Sequence, residues 1–113
     1  MITLQQIIDD LQLTVLTDML DFNTSIPTGG YASDLLSCVM AGAKHGNLWV
    51  TLQAHNNIIA VAALLELSAI IITEDAQPDP ATIDKAKQEG IPLLATPLLS
   101  YEVIGRLWEL GVH

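Results

Sequence analysis

Thr17, Thr28, Thr51, Thr73 and Thr96 each close or border a short apolar run, and Gln53 and His55 follow Thr51 within four residues. Hydroxyls, an amide and an imidazole at strand ends suit a small polar or anionic ligand, above all where loops lead into helix N-termini. The same threonines are good strand residues and common caps, so their recurrence also has a purely local explanation. Ser25-Ile-Pro-Thr-Gly-Gly-Tyr-Ala-Ser-Asp34 adds two adjacent glycines just before an apolar run. A turn there, with at least one positive φ and close backbone approach, is expected at Gly29-Gly30. On that basis Gly29→Val and Gly30→Val should cost more than Gly42→Val. Thr28, Gly29, Gly30, Tyr31, Thr51, Gln53, His55 and Thr73 are the candidate ligand residues, and His55→Ala is expected to weaken binding.

Other chemistries are less well supplied. His55 could serve as an acid or base, but no second catalytic group is placed beside it by spacing, and a helix-terminal hydrogen bond is its plainer role. Glu74, Asp75 and Asp79 could hold a divalent metal, yet no twelve-residue calcium-loop pattern surrounds them, and no metal or cofactor is expected. The glycine pair lacks the lysine of a Walker A loop and the rest of a dinucleotide fingerprint. Cys38, the single cysteine, excludes an intramolecular disulfide and reads as a buried thiol.

Thirteen acidic against four basic residues give a net charge of −9 over 113 residues, which repels phosphate backbones and argues against nucleic acid. Half of the residues are hydrophobic and 15% are charged, the balance of a folded chain. No apolar run reaches the roughly 18 residues of a membrane span, and the N-terminus lacks a signal-peptide pattern. A cytoplasmic protein without a membrane partner is expected. The length suits one domain, residues 1–113.

The positioning elements follow from periodicity. Leu4, Ile7, Ile8 and Leu11 predict a helix capped by Thr3; residues 13–17 predict a strand; residues 18–24, with Met19 and Leu20, predict an irregular connection. A brief strand is expected at 26–28, then the glycine turn and a helix over 33–44 capped by Ser33, with Gly46 as its stop. Leu48-Trp-Val50, Ala69-Ile-Ile-Ile72 and Leu93-Leu-Ala95 read as strands, the second covered on both faces. Residues 57–65 predict a helix apolar nearly all round, expected to be buried on more than one side or at a dimer interface. Asp79-Pro80 starts a helix, with Ile83 and Ala86 facing inward, that Gly90 ends, and Ser100 should cap the last one, which carries Val103, Ile104, Leu107, Trp108 and Gly111 to the end of the sequence. Strands alternating with helices predict a single three-layer α/β domain with a mostly parallel sheet covered by helices.

Thr28-Gly-Gly-Tyr-Ala-Ser-Asp-Leu-Leu-Ser37, Gly46-Asn-Leu-Trp-Val-Thr-Leu-Gln-Ala-His55, Ile70-Ile-Ile-Thr73 and Gly90-Ile-Pro-Leu-Leu94 together resemble the DRTGG domain family over nearly the whole chain. Related domains precede the kinase domain of HPr kinase/phosphorylase and form a regulatory segment of some phosphotransacetylases. The resemblance implies an accessory, non-catalytic module. Ile26-Pro27 stands where the name-giving Asp-Arg would be, and only Thr28-Gly29-Gly30 is retained. A regulatory module that forms a homodimer, binds a small anionic or nucleotide ligand and serves a partner enzyme is the leading expectation. A protein-interaction domain without a ligand, or a small enzyme using His55, are the alternatives.

Overall fold

The first apolar stripe folds as its spacing predicts. Leu4, Ile7, Ile8 and Leu11 are all buried on one side of α1 (Leu4–Leu11). Thr3 and Gln6 close a reciprocal capping box that satisfies two otherwise orphaned N–H groups at its start. Five strands follow in the chain: β1 (Thr14–Val15), β2 (Gly29–Ala32), β3 (Asn47–Thr51), β4 (Ala69–Ile72) and β5 (Leu93–Ala95). Between and after them lie α2 (Leu36–Gly42), α3 (Asn57–Leu65), α4 (Pro80–Glu89) and α5 (Ser100–Glu109). The computed structural model describes residues 1–18 and 21–113. Met19 and Leu20, in the expected irregular connection, lie outside the described residues.

The sheet order is β1-β5-β4-β3-β2, parallel from β2 to β5 with β1 antiparallel at one edge. Alternation along β3, β4 and β5 sorts their side chains into two cores. Leu48, Val50, Ala69, Ile71 and Leu94 pack with α1 and α5 on one face. Trp49, Ile70, Ile72 and Leu93 pack with α2, α3 and α4 on the other. The result is the expected three-layer α/β domain. β4 is buried along its whole length because both faces are covered, which explains its unbroken Ala-Ile-Ile-Ile sequence.

Several local expectations are corrected by tertiary context. The strand expected at 26–28 begins at Gly29, so the two glycines lie in β2 and not in a turn. The strand pairs Gly29 with Asn47 and Ala32 with Val50, and only Gly29 departs from ordinary backbone, with φ at 154°. α2 is shorter than 33–44; Leu35 precedes it without a side-chain cap, and Ser33 Oγ instead accepts from Leu35 N–H. Ser100 lies inside α5, where it does not cap. Cys38 is exposed, whereas its neighbour Val39 is the buried residue of α2. α3 buries Ile58, Ile59 and Ala62 but leaves Leu64 exposed, so its apolar circumference is covered on one side only. Asp79 and Gly90 cap α4 as expected.

Candidate functional site

The threonines do not share one rim. Thr51, Thr73 and Thr96 lie at the carboxyl ends of β3, β4 and β5. Thr17 follows an antiparallel strand and so reaches the opposite end, where its Oγ1 accepts from Leu93 N–H at 3.0 Å. Thr28 precedes β2 and also sits at that opposite end. The candidate ligand residues therefore divide into Thr28 to Tyr31 along β2 and Thr51, Gln53, His55 and Thr73 at the carboxyl rim. β2 through β5 are laid side by side in chain order with all three crossover helices on one face, so these four strands show no reversal of order. The crevice that a reversal opens at the strand ends is the usual ligand site in such sheets.

At the carboxyl rim the polar groups are spent on one another. Asp34 Oδ1 accepts from Thr51 Oγ1 at 2.7 Å and from Leu52 N–H at 2.9 Å, while Gln53 Nε2 donates to Asp34 O. The Thr73 hydroxyl bonds Ser100 Oγ, and Ser100 N–H donates to Glu74 Oε2. Asp79 Oδ1 accepts from the N–H and hydroxyl of Thr82. The Thr82 N–H, then its hydroxyl, hold the Asp79 carboxyl below its ordinary value, with a smaller attraction from His55. Carboxylates thus occupy the N-termini of α4 and α5, where an anion would otherwise be favoured. His55 is exposed, and its Nδ1 accepts from Asn57 N–H at 3.4 Å, a weak bond at the start of α3. Among the described residues no group of three His, Cys, Asp or Glu side chains is placed to hold a metal ion.

The β2 end is different. Thr28 Oγ1 donates to His45 O at 2.8 Å and accepts from Asn47 Nδ2 at 3.2 Å, while Asn47 Oδ1 accepts from Lys44 N–H. The threonine therefore hooks the start of β2 to the turn between α2 and β3. A Cβ on Gly46, which has φ at 81°, would come within 2.7 Å of Thr28 Cγ2, so this close approach requires glycine. On the α5 face of β2, Gly30 and Ala32 stand beside Leu48 and Val50 in register, but unlike them remain exposed. α1 and α5 cover the middle of the sheet and stop short of this edge.

The uncovered strip is the floor of a 420 Å³ cleft whose walls are α5 and the segment after α2. Val50 and Leu107 make its apolar base; Trp108 and His113, with ring centroids 4.4 Å apart, stand on one side. Lys44 and Asn47 line the other. Tyr31 borders the cleft from the opposite face of β2 and packs so closely on α2 that a Cβ on Gly42 would lie 2.6 Å from its ring. Of the residues singled out in sequence, Thr28, Gly29, Gly30 and Tyr31 line this cleft; Lys44, Asn47, Trp108 and His113 were missed. Trp108, on α5, is 64% exposed.

The architecture and cleft define a three-layer α/β domain with a ligand-sized recess against an edge strand. A model of the DRTGG domain matches residues 32–110, and the chain belongs to the DRTGG domain family. The match starts at Ala32, so the Thr28-Gly29-Gly30 remnant precedes the matched span. No curated protein matches the chain. Among solved structures it is similar to the CBS and DRTGG domains of the regulatory region of Clostridium perfringens pyrophosphatase, crystallised with the activator diadenosine tetraphosphate. Identity is 21% at a TM-score of 0.72, covering 93% of this chain and 45% of that one. The likeness establishes the fold.

Proposed function

We propose that this protein is a non-catalytic regulatory module of the cytoplasm that forms a homodimer, binds a small polar or anionic ligand in the β2–α5 cleft and passes that signal to a partner enzyme. The observation that carries the reading is the cleft itself. A 420 Å³ recess floored by Gly30 and Ala32 combines an apolar base, an aromatic wall and a lysine in a chain with only four basic residues. Such a recess is within the range of small-molecule sites, and its few polar groups fit one anionic end and one planar, apolar end. A nucleotide has that chemistry. Two further facts support a regulatory role: membership of the DRTGG family and a fold shared with a regulatory region crystallised with a dinucleotide activator.

The non-catalytic reading is supported by His55. Catalysis would require an acid, base or nucleophile within hydrogen-bond reach, and among the described residues the imidazole's hydrogen bond is to the Asn57 N–H of its own segment. The membrane-free reading is supported by the helices, none of which, among the described residues, is long and apolar enough to cross a membrane.

The proposal keeps Thr28, Gly29, Gly30 and Tyr31 from the sequence-predicted set and assigns Thr51, Gln53, His55 and Thr73 to holding the opposite rim together. Titration calorimetry with AMP, ATP and inorganic pyrophosphate tests it, alongside a native mass spectrum of the freshly purified protein. Saturable binding of at least one probe is expected. Gly30→Val, which fills the floor, should weaken it by about 1 kcal/mol or more, and His55→Ala should leave it unchanged. Absence of retained ligand and of binding by all three probes would overturn the reading in favour of a pure interaction domain. Loss of affinity in His55→Ala with Gly30→Val unaffected would move the site to the carboxyl rim.

A further inference from the structure

α5 carries two apolar stripes on opposite sides. Val103 and Leu107 face the sheet and are buried. Tyr101, Ile104, Gly105 and Trp108 recur at i, i+3, i+4 and i+7, which places them together on the other side, where Tyr101 is 90% and Trp108 64% exposed. α1, on the same layer, shows the ordinary arrangement of one buried stripe and a polar outer face. A second stripe in solvent calls for a partner.

We infer that this outer stripe is where two copies of the chain pair, α5 against α5 in antiparallel orientation about a two-fold axis between Ile104 and Gly105. The inference rests on the homodimer reading above and names its surface. Three observations single out a second copy as the occupant. The stripe is self-complementary: residue numbers that sum to the same value face each other across such an axis, setting Tyr101 against the partner copy's tryptophan and Ile104 against its glycine. Among the described residues Gly105 has nothing within 4 Å of where its Cβ would stand, so no contact among them calls for a glycine in this helix interior. A facing isoleucine would occupy that gap. Tyr101, Ile104, Gly105 and Trp108 carry no charge themselves, and of the flanking Glu102, Arg106 and Glu109 the first two pair with each other at 3.8 Å, which limits the repulsion between two chains of net charge −9.

The area is adequate. With aromatic side chains of about 150–250 Å², the exposed parts of Tyr101, Ile104 and Trp108 offer about 400 Å² of surface per copy. A standard interface takes about 800 Å² from each partner, somewhat more than half of it apolar. Ile104 and Trp108 also line the β2 cleft, so a second copy seated on α5 would adjoin that cleft.

Sedimentation equilibrium of the full chain from about 1 to 100 µM, a range in which mass action exposes the monomer, tests the surface. The wild type is expected at twice its 12.2 kDa mass. Ile104→Glu and Gly105→Leu should each raise the dissociation constant at least tenfold, and Leu64→Glu on α3 should not. Gly105→Leu improves helix propensity, so its effect cannot come from unfolding. Trp49 is fully buried, so a blue shift of tryptophan emission with rising concentration reports Trp108 entering an interface. A 12.2 kDa species throughout overturns both the dimer and its surface. A dimer indifferent to both α5 variants, or dissociated by Leu64→Glu, overturns the surface and leaves the dimer standing.

Discussion

Replacing each of three glycines with valine should produce a ranking opposite to the one local sequence suggests. At Gly42 a Cβ would stand 2.6 Å from both Cε1 and the hydroxyl of Tyr31 and 2.8 Å from Cζ. The ring is half-buried and packs on the core around Trp49, so it cannot swing away without losing contacts. Overpacking of this kind costs about 1–3 kcal/mol, and the gain in helix propensity at the last residue of α2 offsets a few tenths of it. The net expectation for Gly42→Val is a loss of about 2 kcal/mol. At Gly30 the nearest atom to an added Cβ is Leu48 O at 3.7 Å, an ordinary contact, and the backbone is regular strand. Valine there restricts the unfolded chain and suits a strand, which together should stabilise by about 0.5–1 kcal/mol. Gly29, with φ at 154° and Asn47 Nδ2 at 3.4 Å from its would-be Cβ, should lose about 1–2 kcal/mol through backbone strain. Urea denaturation followed by the emission of buried Trp49, with far-UV circular dichroism as a second probe, measures all three. Gly42→Val within about 0.5 kcal/mol of wild type, or Gly30→Val destabilised by about 1 kcal/mol or more, would refute the packing argument.

Two further outcomes are expected. Thr28→Val removes a donor to His45 O and an acceptor for Asn47 Nδ2, and should lower stability by about 1 kcal/mol in the same denaturation assay, with amide exchange rising first at the start of β2. Asp79 has a carboxyl held below its ordinary value of 3.8 by the Thr82 N–H, so its contribution to stability is present above that value and fades as pH falls through the lower, folded one. The melting temperature of Asp79→Ala should therefore fall below wild type at pH 7 and converge with it as pH falls below the ordinary carboxylate range; a difference that persists in acid would show that the lost group acts other than as an ionised cap.

The secondary structure was legible wherever a local rule was sufficient. The stripe Leu4-Ile7-Ile8-Leu11 with Thr3, and Asp79-Pro80 with Gly90, set their helices because caps and i, i+3, i+4 spacing act within a few residues. Ala69-Ile-Ile-Ile72 announced a covered strand, because only a strand with apolar layers on both sides can use such a run. The α/β class followed from the alternation of these elements, and the family from motifs spread along the chain. The candidate ligand residues were legible only in part, since chemistry-bearing residues can be counted in sequence but the sheet end to which each is delivered cannot.

That assignment depended on strand direction and order. The antiparallel entry of β1 sent Thr17 to the amino end, and β2 began one residue after Thr28, which left that threonine opposite Thr51 and Thr73. The pairing of β2 with β3 drew Gly29 and Gly30 into an edge strand, because backbone hydrogen bonds to a neighbour outweigh the glycines' local preference for a turn. Edge position then left Gly30 and Ala32 uncovered and turned the absence of side chains into a cleft. The sequence marked Val103, Ile104, Leu107 and Trp108 of α5 together as apolar, but which of them meet the sheet is a property of how the helix docks: Val103 and Leu107 reached the core, and Ile104 and Trp108, with Tyr101, were left to solvent.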